Sequence, residues 1–280
     1  MYEVHFPITP LRLFIECFWF LQTEVTPPAR LEELIFTDGR ADIVFNLGAA
    51  YLRRQANQPN QTQLMRLSNL DAQRRYPVHI IQQGRIDLIG VRFRPGGLAA
   101  FLPMPVSELD GLTLALPDAF GLPGDDLESQ LFETAGQRPR QLSLLNDFFR
   151  RRLEVPAAHR WVTHLAAAIE QSQGQIKMGN LSREYGYSIR TLDRLFQQVM
   201  GLSPKFYARI VRFRHTLNCL VQQPAIEWVE LVTSGGYYDQ PHLVKEFVAF
   251  TGVSPEVYRA RLHSAGVPAA PNYVQFLQDD

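Results

Sequence analysis

At 280 residues, with 46% hydrophobic and 20% charged residues, the chain can bury one large core or two ordinary ones, which excludes an intrinsically disordered chain. Its formal net charge of zero argues against a nucleic-acid binder, but the average hides a division. Residues 1–156 carry 16 arginines and no lysine against 18 acidic residues, whereas residues 176–262 carry 11 basic residues against 7, a surplus that permits DNA binding without proving it.

Cys17 and Cys219 are the only cysteines, far apart and outside any C-x-x-C spacing. They cannot build a zinc ribbon or a disulfide framework, and they point to a reducing compartment. The start, Met1-Tyr2-Glu3-Val4-His5-Phe6-Pro7, lacks the basic region of a signal peptide, and no apolar run reaches membrane-spanning length. The expectation is a soluble, cytoplasmic protein without a membrane partner.

Taken in order, residues 16–23, 31–36, 41–47, 78–81 and 85–93 are short segments rich in Ile, Val, Leu and Phe and read as strands. Turn signals at Asp38-Gly39 and Gln83-Gly84 separate two pairs of them, as in hairpins. The Asn-, Gln- and Pro-rich stretch 53–63 reads as a loop. After Pro95-Gly96-Gly97 the periodicity becomes helical, over 126–134 and 141–153. Arg150-Arg151-Arg152, followed by Glu154-Val155-Pro156, marks the expected domain boundary, and a solvated helix end explains the triple Arg better than a phosphate contact. From 157 onward the chain reads as helix and tight turn.

One pattern occurs twice at an offset of 51 residues: Leu192, Phe196, Gly201, Ser203-Pro204 and Tyr207 coincide with Leu243, Phe247, Gly252, Ser254-Pro255 and Tyr258. In each copy a capping residue, Ser188 or Asp239, precedes an amphipathic helix. Leu192, Leu195, Phe196 and Val199 form the inward stripe of the first, and Leu243, Phe247 and Phe250 that of the second. Each helix has a partner before it, over 178–185 and 226–234, with a glycine-containing turn between. Two equivalent helix-turn-helix units suit duplex DNA, whose major groove admits an α-helix once per turn. Between them Ser203-Pro204 starts a helix expected to run to about residue 221. At 1.5 Å per residue such a helix spans about 27 Å, near the roughly 34 Å between successive turns of a groove.

With these residues in view, 157–262 resembles the DNA-binding domain of the AraC/XylS family of bacterial transcription regulators. The run Gly236-Tyr237-Tyr238-Asp239-Gln240 through His242, Phe247, Phe250, Gly252, Ser254-Pro255 and Tyr258-Arg259 carries the likeness, and the first copy repeats it in degraded form. The resemblance implies two helix-turn-helix units joined by a linker helix. Its matching positions put Arg190, Asp193 and Arg194, and Gln240, His242 and Lys245, at the DNA. Ser182 and Val232 depart from the small Ala usual in each first helix, and Gly235 stands at the usual small residue before the second turn.

Chemistry assigns the roles. Arg190 and Arg194 can pair bidentately with guanine, Asp193 can accept from cytosine and Gln240 can read adenine. Asp193 serves equally as an intrahelical partner of Arg190 or Gln197, and for His242 a phosphate contact or a plain surface position stands ahead of base reading. Lys205, Arg209, Arg212 and Lys245 are phosphate candidates, which position without specifying.

The N-terminal half, through 14–20, 38–48 and 90–97, resembles a domain of unassigned function often found ahead of this DNA-binding domain. That implies a β-rich sensor or dimerisation module, cupin-like or a small β-barrel, with helices. Only His5 and His79 occur there, with no HxH pair, no phosphate loop and no G-x-S-x-G elbow, so neither a metal, a cofactor nor catalysis is expected. Pro95-Gly96-Gly97 reads as a tight turn rather than an anion site, and Asp38, Arg40 and Asp42 as hairpin charges with local ion pairs. Trp19, Phe45, Asn46, Arg92 and Arg94 are the candidates for an effector pocket.

The expected protein is therefore α+β, with a sensor domain over 1–155, an all-α DNA-binding domain over 156–263 and a tail over 264–280. Its expected function is sequence-specific transcription regulation, with duplex DNA, RNA polymerase, a small effector and a second copy of itself as partners. The alternatives are a DNA-repair or modification protein using the same module, and a ligand-binding relic of an enzyme.

Overall fold

The computed structural model describes residues 1–58 and 60–264, and within them ten strands form two antiparallel sheets ahead of the C-terminal helices. The strands are β1 (Tyr2–His5), β2 (Ile15–Val25), β3 (Leu31–Ile35), β4 (Asp42–Asn46), β5 (Tyr51–Gln55), β6 (Thr62–Met65), β7 (Asn69–Asp71), β8 (Val78–Gln82), β9 (Gly84–Phe93) and β10 (Thr113–Ala115). One sheet runs β1-β2-β9-β4-β7-β10 and the other β3-β8-β5-β6.

The alternation of side chains along a strand decides what each sheet face does. In β2, Phe18 and Phe20 join the main apolar core, Phe18 stacking on Phe149 at 6.5 Å between ring centroids, while Cys17 and Trp19 turn to the opposite face with Ile86 and Leu88. Trp19 pairs across the ladder with Gly90. A Cβ at position 90 would lie 1.7 Å from the indole, so the glycine makes the room that the tryptophan fills. Both faces of this sheet are thus covered, one by helices and one by the second sheet.

The two turn signals are not hairpins. Asp38-Gly39 connects β3 to β4 and Gln83-Gly84 connects β8 to β9, and in both cases the flanking strands belong to different sheets. Local turn chemistry says that the chain reverses, and pairing is decided by which faces can be buried together. The stretch expected as a loop over 53–63 contains the end of β5 and the start of β6, and Arg53 is buried. Asp38, Arg40 and Asp42 are not hairpin charges with local ion pairs either; all three are buried and pair mainly with residues remote in sequence.

After β9 the chain makes short 3-10 turns at Gly97–Ala100 and Val106–Leu109, and then α1 (Leu116–Phe120), α2 (Leu122–Glu133) and α3 (Arg138–Arg152). Leu145 and Phe149 of α3 are fully buried against the first sheet. The C-terminal helices follow: α4 (His159–Gln171), α5 (Met178–Tyr185), α6 (Ile189–Met200), α7 (Pro204–Gln222), α8 (Trp228–Ser234), α9 (Gln240–Thr251) and α10 (Pro255–Ser264). The division expected at 155 and 156 falls between α3 and α4. Of the expected tail over 264–280, residues 265–280 lie outside the described residues.

The two halves share one apolar core. Phe36, just after β3, meets Phe213 of α7 at 6.2 Å and Tyr258 of α10 at 6.0 Å, both edge to face. Aromatic pairs of this kind contribute about 0.5–1.5 kcal/mol beyond their buried area. Beside them the Arg75 guanidinium lies 4.9 Å over the Phe206 ring.

Candidate nucleic-acid interface

In the first helix-turn-helix unit, α5 and α6 are joined through Gly186-Tyr187-Ser188. Ser188 Oγ accepts from the Thr191 N–H at 3.1 Å, satisfying one donor left over at the start of α6. Leu192, Phe196 and Val199 are buried, so helical geometry turns Arg190 and Arg194 outward, where both are exposed. Asp193 is half-buried and accepts from Gln197 Nε2 at 3.0 Å, which is the intrahelical pairing. Ser182 donates to the Tyr187 carbonyl at 2.7 Å, so the hydroxyl that replaces a small Ala ties the first helix to its own turn.

The second unit repeats the arrangement. Asp239 accepts from the His242 N–H at 2.8 Å, capping α9, and Gln240 and Lys245 are exposed on its outer side. His242 Nδ1 accepts from the Tyr238 N–H at 3.2 Å, and its ring meets the Tyr237 ring at 5.5 Å, nearly perpendicular. A backbone N–H can only donate, so Nδ1 carries no proton there and the neutral ring keeps its proton on Nε2.

The linker helix α7 is capped by Ser203, whose hydroxyl accepts from the Phe206 N–H at 3.2 Å. Its three basic candidates part company. Lys205 is exposed. Arg209 gives two hydrogen bonds of 2.8 Å to Glu246 of α9, and Arg212 donates to the Gly174 carbonyl at 3.1 Å while its guanidinium covers the Tyr237 ring at 5.6 Å. Arg209 and Arg212 therefore tie the linker helix to the second unit, and Arg212 also ties it to the turn after α4. Sequence reasoning missed Glu246; its signal was a carboxylate beside Lys245, on the inner edge of a helix otherwise seated by Leu243 and Phe247.

Between the two sheets of the N-terminal half lies a cavity of about 70 Å³. Trp19, Ile35, Val44, Ile80 and Leu88 form its apolar wall, and Asp42, Arg53, Asp71, Arg74 and Arg92 its charged one. Arg53 and Arg74 bond Asp71 at 2.7 and 2.8 Å, Thr113 adds a third bond at 2.8 Å, and Arg92 bonds Asp38. Burial pushes the Asp38 and Asp71 carboxyls up, but the surrounding guanidiniums outweigh it and hold both below the ordinary carboxylate range. For Asp42 burial wins and its carboxyl is raised, because Arg92 and Arg74 come no nearer than 3.5 and 3.7 Å.

Of the expected effector residues, the cavity brings together Trp19 and Arg92 only. Phe45 follows Val44 by one residue, so it points to the other face of β4, into the main core. The Asn46 side chain holds the next turn, donating to the Ala49 carbonyl at 3.1 Å and accepting from the Gly48 N–H at 3.1 Å. Arg94 lies past the end of β9, exposed, and donates to the Arg12 carbonyl at 2.8 Å. Asn69, Tyr51 and Gln82 line the cavity and were not foreseen, since the strands carrying the first two were not recognised.

Residues 181–261 match the family model of a helix-turn-helix domain, and residues 3–115 match that of a domain of unknown function (DUF6597). The C-terminal domain is of the AraC type. No curated protein matches the chain. Among solved structures, ToxT from Vibrio cholerae O395 is similar at 9% identity and a TM-score of 0.46, over 89% of this chain and 99% of that one. Wild-type ToxT from Vibrio cholerae strain SCE256, bound to an unsaturated fatty acid, stands at 12% and 0.45, over 89% and 96%. The AraC-like transcriptional activator CuxR stands at 12% and 0.26, over 78% and 86%. These likenesses are too distant to carry residue roles across.

The AraC-type domain makes this a DNA-binding regulator of transcription. Ahead of that domain Cys17 is buried and its thiol is pushed up to about 12 by desolvation, and within it burial also raises Cys219. Neither has the lowered pKa that a reactive thiol of a repair protein requires. Among the described residues no group of His, Cys, Asp and Glu could hold a metal ion, and no helix is long and apolar enough to cross a membrane.

Proposed function

We propose that this protein is a sequence-specific regulator that lays α6 and α9 in successive major grooves of promoter DNA and answers to a small effector held between its N-terminal sheets. The observation that carries the reading is the pair of equivalent capped helices, Ser188 heading one and Asp239 the other, with Arg190, Arg194, Gln240 and Lys245 exposed along their outer sides. Arg190 and Arg194 supply bidentate donors for guanine, Gln240 suits adenine, and Lys205 and Lys245 meet phosphates. Asp193, engaged by Gln197, acts mainly by orienting that glutamine, and His242 offers its Nε2–H as a single donor.

The effector part of the reading rests on chain connectivity. Segment 36–42 carries Asp38 and Asp42 of the charged cluster together with Phe36 and Gly39, which lie against α7 and α10. Segment 71–75 likewise carries Asp71 and Arg74 at the cavity and Arg75 over Phe206. A ligand that shifts the charged wall moves backbone that also holds the linker helix. On DNA such a regulator works beside RNA polymerase in the cytoplasm, and two copies on one promoter would double the phosphate contacts.

Selection from random duplex DNA at fixed salt tests the reading, comparing the protein with an Arg190→Ala, Arg194→Ala, Lys245→Ala variant. The expected result is a motif of two boxes about one helical turn apart, roughly 10 base pairs, lost in the variant. A motif that survives the triple substitution would overturn the placement of both helices.

A further inference from the structure

We propose that Tyr187 and Tyr238 are matched DNA-backbone anchors, each donating its phenolic hydroxyl to a phosphate at the wall of the major groove that the helix after it enters. The role rests on the regulator reading above and adds to it two residues that fix register without reading bases.

The two tyrosines occupy one place in the repeat. Each immediately precedes a cap, Ser188 of α6 or Asp239 of α9, at the offset of 51 residues that relates the two units. Tyr187 is 44% exposed and Tyr238 89%. Their backbones are engaged, the Tyr187 carbonyl by Ser182 and the Tyr238 N–H by His242, but among the described residues neither hydroxyl has a hydrogen-bond partner. Tyr207 and Tyr237 of the same domain are buried instead, with their hydroxyls bonded to Glu170 at 2.7 Å and Thr216 at 3.1 Å. A phenol turned to solvent is thus a property of this one position in each unit.

What the two units share should meet what two DNA boxes share. Apart from the basic pair Arg194 and Lys245, the outer sides of α6 and α9 differ: Arg190, Asp193 and Gln197 stand opposite Pro241, Val244 and Val248. Such differences suit the reading of different bases. The tyrosine before the cap is common to both, and the phosphate backbone is the part of the duplex that carries no direct sequence information. Dimensions agree. A helix with its side chains is about 10–12 Å across and the major groove about 12 Å wide, so a helix end in the groove fills it from wall to wall. The residue ahead of the cap then stands at a wall lined by phosphates, for which a phenol is an uncharged donor. The two anchors are held unequally. Tyr187 stacks on Trp161 of α4 at 5.7 Å and 27°, whereas no ring lies against Tyr238 among the described residues. A side chain already held gives up less freedom on binding.

The test uses the full chain and duplexes carrying the motif that selection recovers with the unaltered protein. Tyr187→Phe and Tyr238→Phe keep the ring and remove only an exposed hydroxyl, so Tm should not change. Each should weaken binding by roughly 3- to 10-fold, the larger loss falling on Tyr187→Phe. The selected motif should stay the same, because a phosphate contact does not specify. The salt dependence should keep its slope, because a phenol neutralises no phosphate and releases no counterion. A single methylphosphonate at the anchored phosphate should weaken the unaltered protein and erase its advantage over the Phe variant. Undiminished affinity in either variant, an altered motif, a changed slope, or a loss that no methylphosphonate position cancels would each overturn the anchors. A larger loss in Tyr238→Phe would overturn the part given to Trp161. If selection recovers no motif, the regulator reading itself fails; a motif recovered with Phe variants that bind as tightly as the unaltered protein sinks the anchors alone.

Discussion

Arg209 of the linker helix α7 and Glu246 of α9 are joined by two parallel hydrogen bonds of 2.8 Å. A fork of this kind fixes orientation as well as distance, so it sets how α9 stands on the linker. Arg209→Ala should cost about 1.5–3 kcal/mol of stability, in the range for hydrogen bonds to charged groups. It should also reduce affinity for two-box DNA far more than for a single box. A double-mutant cycle with Glu246→Ala measures the coupling, and additivity within about 0.5 kcal/mol would remove the clamp from the account.

Gly39 sits at φ +76°, and a Cβ there would lie 3.0 Å from Cε2 of Tyr207. Alanine would suffer both the left-handed backbone and the crowding, for a loss of about 1–3 kcal/mol. Because the contact joins the N-terminal half to α7, Gly39→Ala should increase cleavage by added protease between α3 and α4. An unchanged digestion pattern would mean that this contact does not hold the halves together.

The two caps make a matched pair. Ser188→Ala and Asp239→Ala should each lower stability by about 1 kcal/mol. Each should weaken binding chiefly at the DNA box read by its own helix. Chemical denaturation and box-scrambled duplexes read the two effects separately.

Arginine and lysine on the outer faces should differ in kind. Arg194→Ala should relax specificity at one base pair by about 1–3 kcal/mol, whereas Lys205→Ala should weaken all sequences alike and flatten the salt dependence by about one unit of slope. Titrations over a range of salt concentrations distinguish these outcomes.

His159 is buried against Phe14 at 5.0 Å between rings, and desolvation lowers its pKa from the ordinary histidine value despite a hydrogen bond with the Gly96 backbone. A histidine whose folded pKa is depressed binds its proton more readily when unfolded. Its contribution to stability is therefore complete above the unfolded value of about 6.5 and is lost as pH falls below it. The Tm should decline from pH 6.5 downward, and His159→Phe should remove that part of the decline. A parallel pH profile in the variant would assign the acid sensitivity elsewhere.

The DNA-binding domain was legible because its information is local. Capping residues, an apolar stripe at helical spacing and a glycine after each helix act within one or two turns of chain, and they recur at an offset of 51 residues. Two of the three linker-helix cations have protein partners that were not legible for the opposite reason. The protein partners of Arg209 and Arg212, Glu246 and Gly174, lie 37 and 38 residues away.

Sequence by itself determined the strands with strong alternation, the helices from 157 onward, both caps and the helix-turn-helix character of 181–261, since each follows from periodicity and short-range hydrogen bonding. Only the tertiary structure decided which strands pair, why Asp38, Asp42 and Arg92 are buried together, and that Trp19 faces a cavity while Phe45 faces the core. A turn signal specifies a change of direction and not a partner. Partners are chosen by the burial of whole faces, and the cost of a buried charge is met only when the fold brings its opposite alongside.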